Sequence, residues 1–315
     1  MSIQTSTHTL PDGRRLACSS AGSDQAQDVL LCLPGLLETR HTFDAVLQAA
    51  QVHSGLRVIS LDHCGRGDSD ALPGDQGYTM ARYLDDVTHW LTHHHQAQPT
   101  IRWHVLGTSM GGILAMYLAS QASVPVRTLI LNDVGLSFYW VSIYGLYDGM
   151  KKAAGALLPE DIAAKLGVTL GALMAVQSPS HFDLPYRRDW KGMRFAHVLQ
   201  HYSGAMRLVH GEDSGVCLSD QVDEIRRLFP YVRVMNVPGA KHPAPFTDAV
   251  CEFVLADLAP HTQSEATTAH EPQATPALDV AEPVHALANT NTPSVWSWLK
   301  DKIKRKLNRE NKDSS

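Results

Sequence analysis

The run Gly107-Thr108-Ser109-Met110-Gly111-Gly112 sets a serine between glycines two positions away on either side. Serine is a weak nucleophile until a base takes its proton and its oxygen stands clear of the backbone. The G-x-S-x-G spacing meets the second need. It suits a sharp corner between a strand and a helix, in which small neighbours make room for the tight backbone and the helix N-terminus faces developing negative charge. The flanks fit that corner, because Ile101–Leu106 reads as a strand and Gly111–Ser120 as a helix. The base must titrate near neutral pH and reach the serine oxygen. His242, in the turn Gly239-Ala240-Lys241-His242 after the strand-like Val232–Val237, suits that task. The chain has 17 histidines, so position rather than residue type singles out His242. The run His93-His94-His95 reads as the cap of an exposed helix end, and His63 and His210, beside strand ends, as packing residues.

These residues need a scaffold, and the hydrophobic pattern describes one. Short apolar runs rich in β-branched residues alternate with longer helical patterns, which predicts an α/β fold: a mostly parallel β-sheet flanked by helices. Pro11-Asp12-Gly13 marks the turn of an opening hairpin. Asp28–Leu33, Arg57–Asp62, Arg127–Leu131 and Ala205–Val209 read as further strands, and Thr79–His93, Leu218–Phe229 and Thr247–Leu258 as helices. The alternation breaks between about Val134 and Tyr202, where aromatic, glycine and helix-like pieces such as Pro159–Leu166 mix. This interruption is read as a helical cap inserted over the sheet at about residues 136–202, within a domain of residues 1–259. Its aromatic start, Phe138, Tyr139 and Trp140, suits either an acyl-pocket wall or the cap's own core.

Composition limits the rest. A chain of 315 residues with 44% hydrophobic residues can bury a large core without disulfides. The formal charge of −5 argues against nucleic acid as a partner. Five widely spaced cysteines suggest reduced thiols in a cytoplasmic protein rather than a zinc site. The N-terminal residues lack the pattern of a secretory signal, and no stretch is long and apolar enough for a membrane span. No cofactor or metal is implied. Residues 260–293, rich in Ala, Thr, Pro, Glu and Gln without aromatics, read as a disordered linker. Residues 294–315 read as a basic amphipathic helix, with Trp296, Leu299, Ile303 and Leu307 on one face and seven basic residues against three acidic ones. Such a helix suits an anionic membrane surface or a groove on a partner protein.

The order of these motifs resembles the α/β-hydrolase superfamily over about Ser6 to Leu258. The resemblance includes Asp62-His63-Cys64-Gly65-Arg66-Gly67-Asp68-Ser69, similar to that family's D-x-x-G-x-G-x-S segment, and Leu131-Asn132-Asp133-Val134-Gly135 after the sixth strand. It implies an oxyanion hole made by the backbone N–H groups of Leu36, in the loop Leu33-Pro34-Gly35-Leu36, and of Met110. Many relatives have His-Gly where this chain has Pro34-Gly35. The usual turn for the triad acid is Gly211-Glu212-Asp213-Ser214-Gly215 here, with serine where aspartate is expected. Some esterases and thioesterases of the family take the acid from the loop after the sixth strand instead. That arrangement implies Asp133 as the acid with Ser214 supporting His242; Asp213 is the alternative, and Glu212 a more distant one.

The resulting expectation is a serine hydrolase of carboxylic esters or thioesters that works through an acyl-serine. A C–C bond hydrolase, a perhydrolase or an acyltransferase would use the same residues. A binding protein without catalysis could use the same scaffold, since fold alone does not fix chemistry.

Overall fold

In the computed structural model, residues 2–53, 55–73, 77–155 and 157–259 are described. The expected linker and basic helix, residues 260–315, lie outside them.

Continuous apolar runs suit the interior strands of a parallel sheet, which helices cover on both faces. β3 (Asp28–Leu33) is such a run, buried at all six positions. It lies between β4 (Leu56–Leu61) and β5 (Arg102–Thr108), parallel to both. β6 (Val126–Asn132), β10 (Ala205–Gly211) and β11 (Arg233–Val237) continue the parallel array. The turn at Pro11–Gly13 joins β1 (Gln4–Thr9) to β2 (Arg15–Gly22) in an antiparallel hairpin, and β2 adds antiparallel to β4. Among the described residues the sheet has eight strands in the order β1-β2-β4-β3-β5-β6-β10-β11.

Helices cover both faces. α2 (Met80–Ala97) and α3 (Met110–Ala119) pack on one face with α7 (Ser219–Leu228), and α1 (Asp44–Ala50) and α8 (Asp248–Leu255) pack on the other. α2 starts at Thr79, whose Oγ1 accepts from the Arg82 N–H at 3.2 Å. The hairpin is fastened to α2 by the buried pair Arg14–Asp86, two parallel hydrogen bonds of 2.8 and 2.6 Å. The histidines at the end of α2 do more than cap it. His94 lies against Trp90, ring centroids 4.2 Å apart, and against His8 of β1 at 5.3 Å.

Between β6 and β10 the chain forms α4 (Trp140–Ala154), α5 (Pro159–Leu166) and α6 (Leu170–Ala175). It also forms a small antiparallel sheet that the sequence pattern does not announce: β7 (Ser137–Tyr139), β9 (Gly192–Arg194) and β8 (Arg187–Arg188), in that spatial order. The inserted segment is therefore three helices bracketed by the strands of a small sheet, β7 before them and β8 and β9 after. Its aromatics serve packing: Phe138 joins the main core, the Tyr139 hydroxyl donates to Asp220, and Trp140 packs on the core beneath the Arg188 guanidinium. The segment grips the loop after β4 by backbone bonds. Gly67 N–H donates to Gly167 O at 2.7 Å, Thr169 N–H donates to Gly65 O at 2.8 Å, and Arg66 bridges Val168.

Candidate active site

Ser109 stands at the junction of β5 and α3 with φ 51° and ψ −116°, a strained corner for a residue other than glycine. Its neighbours have to be small. A Cβ on Gly107 would lie 2.2 Å from Gly111 O, and one on Gly111 would lie 2.0 Å from Leu33 O. The serine is fixed by its own backbone, its N–H donating to Asn132 O at 3.0 Å while its carbonyl accepts from Gly112 and Ile113.

His242 arrives on the loop between β11 and α8. The side chain of Asn132 donates to Ala244 O at 3.0 Å, and the Asp213 N–H donates to Ala240 O at 2.9 Å, so the loop is held on both sides of the histidine. His242 Nε2 lies 2.8 Å from Ser109 Oγ, and its Nδ1 lies 2.8 Å from Asp133 Oδ2. Asp133 is wholly buried just past β6, in a left-handed backbone conformation (φ 58°). Its second oxygen, Oδ1, accepts from Gly211 N–H at 3.1 Å. A carboxylate held this way fixes one imidazole tautomer: Nδ1 carries the proton given to Asp133, and Nε2 is free to accept from the serine hydroxyl.

The other candidate acids are not brought to this histidine. Asp213 and Glu212 are exposed, and among the described residues neither carboxylate contacts His242. The expected support from Ser214 is also corrected. Its Oγ accepts from the N–H groups of Val216 and Cys217 at 3.2 and 3.1 Å, closing its own turn. Its Oγ makes no contact with His242 among the described residues. His63 is buried and stacked on Tyr83 at 5.0 Å, and His210 is held by Asn236 and Cys217 O, so both pack rather than line the serine.

The loop after β3 presses against the elbow, as the Gly111–Leu33 contact requires. Among the described residues, the N–H groups of Leu36 and Met110 have no acceptor. Two further side chains belong to this region, and nothing in the spacing marked them. Glu38 is half-buried and accepts from Gly35 N–H at 2.7 Å. Burial pushes its carboxyl above the ordinary range, against the opposing pull of that N–H, His242 and Arg66. Arg66, inside the Asp62–Ser69 segment, is buried and donates to Gly35 O at 2.7 Å. Beyond their charge, the sequence carries no signal that separates them from the other charged residues of the same loops, such as Arg40, Asp62 and Asp68.

Comparison with known proteins gives this geometry a context. A family profile described as "alpha/beta hydrolase fold" matches residues 28–148. The chain is 28% identical to a 3-hydroxybutyrate-oligomer hydrolase of Cupriavidus necator, over 74% of this chain and 89% of that protein. It is 26% identical to the mouse protein named sn-1-specific diacylglycerol lipase ABHD11, over 73% of this chain and 82% of that one. Among solved structures, an α/β hydrolase from Novosphingobium aromaticivorans superposes with a TM-score of 0.61 at 20% identity, covering 80% of this chain and 96% of that one. The thioesterase domain from the curacin biosynthetic pathway superposes with a TM-score of 0.57 at 16% identity, covering 82% and 100%.

Proposed function

We propose that this chain, which has the α/β-hydrolase fold, is a serine hydrolase of carboxylic esters or thioesters that works through an acyl-Ser109 intermediate. The observation that carries this reading is the hydrogen-bonded line from Ser109 Oγ through His242 to Asp133, with 2.8 Å at each step.

In the first half-reaction Ser109 Oγ attacks the substrate carbonyl carbon while His242 Nε2 takes the serine proton. The imidazolium that results is stabilised by Asp133 through Nδ1–H. The carbonyl oxygen becomes an oxyanion, and the N–H groups of Leu36 and Met110 are the donors for it. Collapse of the tetrahedral intermediate expels the alcohol or thiol, which takes the proton from His242 Nε2 and leaves Ser109 acylated. Water repeats the sequence, with His242 again as base, and frees the carboxylic acid. The names of two relatives refer to ester-cleaving activity, on 3-hydroxybutyrate oligomers and on diacylglycerol. They favour an oxygen ester over a thioester as the first substrate to try.

The test is covalent labelling by a fluorophosphonate together with turnover of p-nitrophenyl esters and an acyl thioester. Ser109→Ala is expected to abolish labelling and to lower kcat by about 10⁶-fold, with folding unchanged by circular dichroism. An alanine variant that keeps more than about a tenth of wild-type turnover would end the serine mechanism.

A further inference from the structure

We propose that Arg66 is a positioning residue of the oxyanion hole: its guanidinium sets the orientation of the peptide that carries the Leu36 N–H and braces the Met110 side chain. This rests on the reading of Leu36 and Met110 as oxyanion donors given above.

Arg66 is 1% exposed, and among the described residues it pairs with no carboxylate. A guanidinium buried without a direct ion pair is unfavourable unless its donors are used; Nε has no partner among the described residues, so the targets of Nη1 and Nη2 indicate its role. Nη1 donates to Gly35 O at 2.7 Å, and Nη2 donates to the Tyr83 hydroxyl at 3.2 Å and lies 4.0 Å from Met110 Sδ. The cation also sits over the Tyr83 ring, 4.7 Å from its centroid. Arg66 thus touches both segments that supply the oxyanion donors.

The Gly35 carbonyl and the Leu36 N–H belong to one peptide unit. That unit is planar and trans, so the two groups point in opposite directions. Holding the carbonyl against Arg66 turns the N–H away from the arginine and leaves it without an internal acceptor. The preceding peptide is held as well, because the Gly35 N–H donates to Glu38 Oε2 at 2.7 Å. Two charged side chains therefore pin the peptide planes on either side of Gly35, a glycine that would otherwise turn freely.

The experiment compares Arg66→Met, which keeps bulk and removes the donors, with Arg66→Lys, which keeps charge but not the planar fork. Thermal midpoint, kcat and KM on p-nitrophenyl butyrate, and affinity for phenylboronic acid are measured for each. The tetrahedral serine adduct of the boronate places a negative oxygen in the hole. A folded Arg66→Met should lose on the order of 10²-fold in kcat with KM within about threefold. Boronate affinity should fall in parallel, and Arg66→Lys should recover part of both. A folded Met variant with kcat within about threefold of wild type, or a loss confined to KM, overturns the proposal. If the Met variant does not fold, the Lys variant decides, and it must lose at least about tenfold in kcat. If neither folds, Arg66 is a structural residue and the proposal falls. Ser109→Ala, run alongside, separates the two readings. Activity surviving in it defeats the serine mechanism whatever Arg66 does. A dead Ser109→Ala beside an unaffected Arg66→Met defeats only the positioning role.

Discussion

Asp133 reaches His242 from the end of β6, while Asp213, on the loop after β10, faces solvent. The two aspartates therefore make opposite predictions. Asp133→Asn should lower kcat by about 10⁴-fold, because the amide no longer enforces the tautomer that leaves Nε2 unprotonated. Asp213→Asn should leave kcat within about twofold, since removing an exposed carboxylate away from the reacting groups disturbs little. Steady-state kinetics on both variants, with folding checked by circular dichroism, tests the assignment; a crippled Asp213 variant would reverse it. At this scale the sequence is legible where chemistry demands a fixed spacing. Ser109 stands out because glycines must flank a tight elbow, and His242 because of its late turn. The acid is ambiguous by spacing alone, since several loop carboxylates share the sheet's C-terminal edge. Only the direction of each side chain separates them. Arg66 and Glu38 are less legible still, because their partners are backbone groups of a loop that no pattern of side chains describes.

The elements were readable in proportion to their length and regularity. β3 and α5 have the bounds that the apolar pattern predicts, and α2, α3, α7 and α8 differ from it only by a few residues at their ends, whereas α4, 15 residues rich in aromatics and glycine, is not marked by that pattern. α1 escapes such a reading because it is seven residues long and its N-cap, Phe43, offers no side-chain capping bond. The strands of the small sheet are two or three residues long, too short to show a period of two. Packing between elements leaves a pH signature. Burial lowers the affinity of His181 and His94 for protons, to a pKa of about 4 in each case, and drives that of His63 well below its ordinary value. The unfolded chain protonates these rings near the ordinary histidine value of about 6.5, so below that pH the unfolded state binds more protons than the folded one. Their contribution to stability is complete above about pH 6.5 and declines as pH falls toward about 4. His181, buried and with Nδ1 bonded to Tyr78 O at 2.8 Å, should account for on the order of 3 kcal/mol of that decline. Urea midpoints between pH 7.5 and 4.5 should fall less steeply in His181→Gln than in wild type. An unchanged slope would show that His181 takes no part.

For the molecule as a whole, we propose that residues 294–315 tether the hydrolase-fold domain to a surface. Among the described residues, no helix is long and apolar enough to cross a membrane. The sequence of residues 294–315 nevertheless has the composition expected of a surface-binding helix, and residues 260–293 have the composition expected of a linker. Removing residues 294–315 should leave turnover of a small soluble ester nearly unchanged, because Ser109, His242 and Asp133 all precede the linker. It should also weaken sedimentation with anionic vesicles, since each basic residue near such a surface contributes about 1 kcal/mol. Part of the full-length protein's binding should survive high salt through the Trp296, Leu299, Ile303 and Leu307 face. Equal sedimentation of full-length and truncated protein at both salt concentrations would remove the membrane role.

The grip of the inserted segment on residues 65–67 bears on how this scaffold can be re-engineered. A lid that only roofed the pocket could be exchanged for another to admit a new substrate, with turnover preserved. Here Gly167 O and Thr169 N–H hold the backbone on either side of Arg66. Transplanting a foreign insertion in place of residues 136–202 should therefore lower kcat on every substrate, including small ones that fit both pockets. A graft that retains Val168 and its two neighbours with their backbone bonds should escape that penalty. Parallel kinetics of the two chimaeras on one small ester would measure the difference, and equal kcat values would mean that pocket shape and chemical competence can be inherited separately.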